Sequence, residues 1–217
     1  MFEVKLNLFR VLGDLSHYLA ILTIFIKIIS SKSCKGISGK SQILFLFVFI
    51  TRYLDVFTTF ISMYNTSIKI FFILSTLTNI FLVFVKYKGT ISSDLDTIRI
   101  EILILGAALL ALFIHHDFVM MELFWTFSVY LEAVSIIPQL SVSSHGKSVE
   151  PVMLLYLMAL GCHKLFYIFN WIHRYYNEGF YDIIAISAGI VQTAIYANFF
   201  VLYTIKRLVD LKSDIGV

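Results

Sequence analysis

The segment LNLFRVLGDLSHYLAILTIFIKII, residues 6–29, is an apolar run interrupted by ionisable side chains. Arg10, Asp14 and His17 are spaced i, i+4 and i+7, so a helix would present all three on one face. A charged side chain in hydrocarbon costs roughly 3 kcal/mol unless it faces a partner or water. We therefore predict a membrane-spanning helix whose polar stripe faces the interior of a helical bundle.

The rest of the chain has the same character. Hydrophobic residues make up 59% and charged residues 14% of the 217 residues, whereas soluble domains have roughly 45–50% and 25%. Because one crossing takes about 20 residues, we predict an all-α membrane protein with seven transmembrane helices. A single domain is expected over residues 1–217, with a short cytoplasmic tail at about 205–217. The predicted spans are residues 6–29, 42–61, 68–85, 100–115, 119–137, 151–173 and 180–204.

Polar or turn-forming segments separate these spans and are predicted to be loops. Basic residues near the ends of short loops are retained in the cytoplasm, so their distribution predicts a lumenal N-terminus and a cytoplasmic C-terminus. The predicted loops are residues 31–40, 62–67, 86–99, 116–118, 138–150 and 174–179. The predicted cytoplasmic side holds Lys27, Lys32, Lys35, Lys40, Lys86, Lys88, Arg99, Lys147, Lys206, Arg207 and Lys212, and the other side only Lys5, Lys69 and Arg174.

Several classes of function are disfavoured by composition. The net charge of +3 is spread over several segments rather than gathered in one patch, so no nucleic-acid partner is expected. Cys34 and Cys162 are predicted in different environments, which disfavours a disulfide. We find no metal-ligand spacing and no nucleophile with its base, so we expect no metal, no cofactor and no enzyme activity.

Charged and polar residues on four helices fall near the same predicted depth, toward the lumen. Besides the stripe on the first helix, these are Arg52, Asp55, Glu122, Glu132, His163, Lys164, Asn170 and Arg174. The common depth predicts one cavity that opens to the lumen. The alternative is that Arg10 and Asp14 reach the headgroups while Arg52 and Asp55 form a structural ion pair. Trp125 and Trp171 flank this depth, although Trp171 also fits an interfacial belt.

Long motifs in the chain resemble those of the KDEL receptors, the ER lumen protein-retaining receptors. They are LFRVLGDLSHYLA at 8–20, SCKGISGKSQ at 33–42, TRYLDVF at 51–57, LFWTFSVYLEAVSIIPQL at 123–140 and FNWIHRY at 169–175. The resemblance implies a SWEET-like arrangement of two three-helix bundles joined by a linking helix. Pro138-Gln139 and Ser41-Gln42 fit the PQ-loop signature of that wider group.

The same resemblance implies a receptor that binds C-terminal KDEL or HDEL signals in the acidic Golgi and releases them in the ER. It assigns Arg10, Arg52 and Arg174 to the acidic ligand, and Asp55 and Glu122 to the basic residue that begins the signal. Trp125, Asn170 and Trp171 match positions around the same pocket, where the depth of Lys164 also predicts this residue. His17 matches the pH-sensing histidine of the family, and we expect Glu132 and His163 to take part in pH sensing with it.

Two departures from the family pattern bear on this expectation. His163-Lys164 stand where the family usually has Tyr-Arg, and Asn198 stands where it usually has an acid tied to sorting. Lys206, Arg207 and Lys212 in the tail are by resemblance a signal for the COPI coat, or else a plain basic anchor. The rival function is a SWEET or PQ-loop solute transporter, which the high charge of the pocket disfavours. The preferred signal variant stays open.

Overall fold

The computed structural model describes residues 7–57, 60, 62–145 and 149–215, without the side chains of 57 and 211–215. Within these ranges the regular structure is helical. The α-helices are α1 Leu8–Ser31, α2 Gly39–Arg52, α3 Met63–Phe81, α4 Ile100–Phe113, α5 Met120–Val134, α6 Ile137–His145, α7 Pro151–Glu178 and α8 Ile183–Ile215. A 3₁₀ turn at Leu54–Phe57 follows α2, and a π-helical turn at Leu82–Lys86 extends α3.

Because α5 and α6 are nearly continuous, the described chain forms seven helical segments, as predicted. Five of them are long and apolar enough to cross a membrane: Leu8–Ser31, Met63–Lys86, Met120–His145, Pro151–Glu178 and Ile183–Asp210. The helices α2 and α4 have 14 residues each, or about 21 Å. The prediction of an all-α membrane protein is therefore confirmed.

Five predicted boundaries were wrong. The second span ends at Arg52 rather than 61, and residues 63–67 of a predicted loop begin α3, because the Ser62 side chain accepts a hydrogen bond from the Asn65 amide at 3.2 Å. Residues 138–145, also predicted as a loop, form most of α6. Proline is tolerated in the first helical turn, where Pro138 lies.

The last two helices also run further than predicted. The helix α7 continues through residues 174–178, where Arg174 and Glu178 form an i, i+4 ion pair at 2.8 Å. It ends at Gly179, whose φ of 63° is left-handed and suits glycine. The helix α8 continues to Ile215 instead of ending at 204, because polar residues beyond the apolar stretch do not break a helix.

The helices pack as two groups of three. In the first group α3 packs on α1 and α2, and in the second α8 packs on α5 and α7. The groups meet where α1 lies along α7 and α2 along α5, while α4 packs on α5. We call the end where α1, α3, α5 and α8 begin the cavity end, and the opposite end, where α8 finishes, the tail end.

The apolar core lies toward the tail end of the bundle. Its fully buried members include Ile24, Ile28, Leu44, Val83 and Leu157. These positions come from the last turns of α1, the π-helical turn that extends α3, and the first turns of α2 and α7. Close packing leaves no room for a ligand between these five side chains.

Gln139 fastens the two groups together at the tail end. Its side-chain oxygen accepts a hydrogen bond from the Ser38 amide at 2.9 Å, and its Nε2 donates to the Gly36 carbonyl at 2.8 Å. The Gln139 amide donates to Ser41 Oγ at 3.0 Å, and that hydroxyl donates to the Ser135 carbonyl at 2.8 Å. The two PQ-loop positions identified in the sequence thus meet, and we call this set of bonds the Gln139 junction.

Candidate ligand-binding cavity

The cavity end encloses a polar cavity of about 290 Å³ between the two helix groups. Ten residues singled out in the sequence line it: Arg10, Asp14, His17, Arg52, Asp55, Trp125, Glu132, His163, Lys164 and Trp171. They come from both groups, so the cavity exists only where α1, α2, α3 and the 3₁₀ turn face α5, α7 and α8.

Glu132 is the centre of the charge network at the base of the cavity. This carboxylate is buried and accepts hydrogen bonds from Arg52 Nη1 at 2.5 Å and Lys164 Nζ at 2.6 Å. Arg52 also donates to the hydroxyl and the carbonyl of Ser128, both at 3.0 Å. Two cations sharing one buried carboxylate leave a positive charge in a region of low dielectric, which attracts a further anion.

His163 adjoins the same carboxylate. Its Nδ1 lies 2.9 Å from the Gly13 carbonyl, which can only accept, so that nitrogen carries a proton. The other ring nitrogen, Nε2, lies 3.8 Å from Glu132 Oε1. Protonation of Nε2 would therefore turn a contact between two acceptors into an ion pair.

His17 packs directly on His163. Their ring centroids are 4.4 Å apart, and His17 also contacts Phe72 at 4.7 Å and Phe49 at 5.5 Å. Both histidines are buried. Two imidazoles in contact repel each other when both are charged, so their protonations are coupled.

Asp14 is held by tyrosines from both helix groups rather than by the neighbouring arginine. Tyr64 of α3 donates to it at 3.0 Å and Tyr167 of α7 donates at 2.6 Å. Within the described part of the chain, the Arg10 side chain, one turn earlier on α1, donates only to the Asn65 side-chain oxygen, at 3.5 Å. Among the cavity cations with described contacts, Arg10 is therefore the one without an acidic partner.

Asp55 forms an ion pair with Lys69 at 2.6 Å, near the ring of Tyr53. Lys69 was missed as a site residue because it was counted only in the distribution of basic loop residues. Once α3 begins at Met63, Asn65, Lys69 and Phe72 follow at i, i+4 and i+7 and share a face. That spacing was the available signal, and it was hidden by the predicted loop at 62–67.

Three predicted site residues do not line the cavity. Glu122 accepts a hydrogen bond from Thr126 at 3.1 Å, and Asn170 accepts one from Asn7 at 2.7 Å. Arg174 donates to Glu178 and lies 4.0 Å from the centre of the Phe180 ring. All three lie toward the cavity end, on the first turn of α5 and the last turns of α7.

Two glycines let aromatic rings reach the cavity wall. A Cβ atom on Gly189 of α8 would lie 2.4 Å from the Trp171 ring, and one on Gly13 of α1 would lie 2.7 Å from the Tyr167 ring. Real Cβ atoms essentially never come that close. The positions of both rings therefore require glycine on the facing helix.

The predicted sorting residues lie at the other end. Asn198, Lys206 and Arg207 line a second cavity between α6 and α8, whereas the Lys212 side chain falls outside the described residues, as do Lys5 and Lys147. Across the described residues, no group of three His, Cys, Asp or Glu side chains is placed to hold a metal ion.

Comparison with known proteins identifies close relatives. A family model described as ER lumen protein retaining receptor matches residues 33–174. The ER lumen protein-retaining receptor erd-2.2 of Caenorhabditis elegans is 52% identical over 207 residues, covering 95% of this chain and 97% of the relative. ER lumen protein-retaining receptor 2 of Gallus gallus is 49% identical over 203 residues, covering 94% and 96%. The receptor of Drosophila melanogaster is also 49% identical over 203 residues.

Proposed function

Because the chain belongs to the family of ER lumen protein-retaining receptors, which are not enzymes, we propose that it binds the C-terminal KDEL-like or HDEL-like signals of soluble ER proteins. Binding occurs in the acidic Golgi and release in the ER, so that escaped proteins are returned. The observation that carries this proposal is the buried Glu132 carboxylate shared by Arg52 and Lys164 beneath the cavity.

Charge complementarity supports an acidic peptide end as the ligand. Arg10, Arg52, Lys69 and Lys164 line the cavity with Asp14, Asp55 and Glu132, so four cations face three carboxylates. A KDEL tail carries two acidic side chains and a terminal carboxylate against one lysine. Guanidinium groups bind carboxylates with paired hydrogen bonds, so Arg10 and Arg52 are the cations best suited to these groups.

The existing ion pairs imply an exchange of partners on binding. Arg10 lacks an acidic partner among the described residues and therefore meets the ligand first. Arg52 and Lys164 then bind an incoming carboxylate of the ligand, either while they still contact Glu132 or after their ion pairs with Glu132 have broken. We assign Asp55 and Glu122 to the basic residue at the start of the signal, with Lys69 displaced from Asp55.

The aromatic and outer residues complete this assignment. Trp125 and Trp171 line the cavity and would pack on the peptide. Asn170 and Arg174 lie on the last turns of α7, outside the cavity lining, and we assign them to the approach of the ligand.

The pH dependence follows from the two histidines. A protonated imidazole adds positive charge beside Glu132 and favours an anionic ligand, so protonation of His17 or His163 and binding of the peptide strengthen each other. Affinity is then high at acidic pH and falls as the pH rises and the histidines lose this proton. His163 stands where the family usually has tyrosine, so this chain has a second titrating group.

Retrieval also requires that the receptor has a fixed orientation in the membrane and carries a signal for transport back to the ER. We propose that the cavity end faces the lumen and the tail end the cytoplasm, as the basic residues predict. Lys206, Arg207 and Lys212 then form the COPI signal. Asn198 replaces the acid that the family uses in retrograde transport, so coupling between ligand and coat differs in this chain.

A binding assay tests the proposal. Fluorescent peptides ending in KDEL or HDEL are titrated onto the purified receptor between pH 5.5 and 7.5, each with a free or an amidated terminus. We expect tight binding of the free acids at low pH and at least tenfold weaker binding of the amides. Equal binding of free and amidated peptides would contradict the arginine assignment. Sugar uptake into proteoliposomes would instead support the transporter function.

A further inference from the structure

The second cavity is an apolar groove with a basic rim. It lies at the tail end between α6 and α8 and has a volume of about 450 Å³. Leu140, Phe199 and Leu202 form part of its apolar wall, and Lys206 and Arg207 lie at its rim. Such a combination matches a ligand with a long apolar part and an anionic head.

The rim lies where a membrane would end. The helix α8 has 33 residues and is about 50 Å long, whereas the hydrocarbon core is about 30 Å thick. The apolar span ends near Asp210, so Lys206 and Arg207 fall in the last two turns of that span. Basic side chains at this depth meet lipid phosphates.

Charge at the rim is available to a ligand. Lys206 and Arg207 are exposed, and neither has an ion pair with another described residue. Asp210 also lines the groove, so the three charged residues described there carry a net charge of +1. A zwitterionic headgroup gains little from that charge, whereas an anionic one is attracted.

Polar groups in the wall lie deeper than the rim. Asn198 precedes Lys206 by eight residues, or about 12 Å along the helix. Asn198 is exposed, lines the groove and has no side-chain hydrogen bond with a described residue, and the half-buried Ser141 hydroxyl likewise has none. An amide next to hydrocarbon is costly unless it finds a partner, and the ester oxygens of a glycerolipid are acceptors at this depth.

We propose that the groove between α6 and α8 binds one anionic glycerophospholipid. Its phosphate contacts Lys206 and Arg207, its glycerol esters accept hydrogen bonds from Asn198 and Ser141, and an acyl chain packs on Leu140, Phe199 and Leu202. The proposal does not depend on the function of the first cavity, from which the groove is separated by the apolar core.

Native mass spectrometry of the full chain tests this site. The receptor is prepared with dioleoyl phosphatidic acid or dioleoyl phosphatidylcholine at equal mole fraction. We expect one phosphatidic acid to be retained with at least tenfold higher affinity than phosphatidylcholine. In the double variant Lys206→Gln/Arg207→Gln this preference falls at least fivefold, and in Asn198→Leu about threefold.

The double variant Lys86→Gln/Lys88→Gln is the matched control. It removes the same charge from exposed positions at the same end that do not line the groove, so it should keep the lipid preference. Equal retention of the two lipids, equal loss in both double variants, or replacement of lipid by a second copy of the chain would each overturn the proposal. A variant that still binds the KDEL peptide is folded. If no variant binds peptide, an unchanged thermal unfolding midpoint shows instead that the variants are folded.

Discussion

The two ends of the bundle are built from the same helices but have opposite interiors. Toward the cavity end, α1, α2, α5 and α7 contribute Arg10, Arg52, Glu132 and Lys164 to a polar space of about 290 Å³. Toward the tail end, the same helices contribute apolar side chains, and the Gln139 junction joins α6 to the start of α2. The difference shows that one set of helices can enclose a polar cavity at one end and pack tightly at the other, because the side chains of each helix change from polar to apolar along its length.

The largest expected effect comes from removing the guanidinium that faces Glu132. In Arg52→Ala, peptide affinity should fall at least 100-fold, because the ligand loses its paired donor and Glu132 is left with one cation fewer. Peptide titration at acidic pH measures this. Arg99→Ala, an exposed arginine at the tail end, is the control and should bind normally. If the two variants bind peptide equally well, Arg52 does not contact the ligand.

The second prediction concerns the hydrogen bonds of the Gln139 junction at the tail end. In Gln139→Leu, the buried partners of the amide lose their hydrogen bonds, so the free energy of unfolding should fall by about 2–3 kcal/mol. Thermal unfolding in detergent measures the loss, and Ser144→Ala, at an exposed position, is the control. Peptide affinity of the folded variant should stay within about threefold. An unchanged unfolding midpoint would mean that the junction adds nothing to stability.

The third prediction separates the two histidines. Wild-type affinity should fall by up to about tenfold per pH unit, or 1.4 kcal/mol, for each group that releases a proton. His17→Ala and His163→Tyr should each make the decline shallower, and the double variant should nearly abolish it. His116→Ala removes an exposed histidine paired with Asp182 and should leave the slope unchanged. The same slope in all four variants would exclude both histidines as pH sensors.

The smallest expected effect tests the shape of the cavity wall. In Gly189→Ala, the added methyl group displaces the Trp171 ring, so peptide affinity should fall about three- to tenfold while the protein stays folded. Gly106→Ala on α4, where a Cβ meets no atom within 4 Å, is the matched control. If Gly189→Ala and Gly106→Ala bind peptide alike, the Trp171 ring does not contribute to affinity.

Much of the fold could be predicted from the sequence because apolar runs of helical length have few alternative structures. The segments that were wrong are those in which polar residues stay helical, such as 138–145 and 174–178. The polarity of both segments predicts a loop. Proline in the first helical turn is compatible with a helix at 138–145, and an i, i+4 ion pair stabilises the helix at 174–178.

The members of the cavity could be predicted where a charge interrupts an apolar run, as with Arg52, Glu132 and Lys164. Partners could not. The pairing of Asp14 with Tyr64 and Tyr167 depends on how α3 and α7 turn toward α1. Lys69 could not be recognised until the start of α3 was known.

The Gln139 junction has a mechanical consequence. It lies 14 residues after Trp125 on a nearly continuous helix, which makes a lever about 21 Å long. A rocking of about 10° between the helix groups around this fulcrum would move the opposite mouth by about 4 Å. That displacement approaches the roughly 4.8 Å that separates neighbouring extended chains, so a small tilt at a fixed pivot would widen or narrow the mouth by nearly the width of one extended peptide.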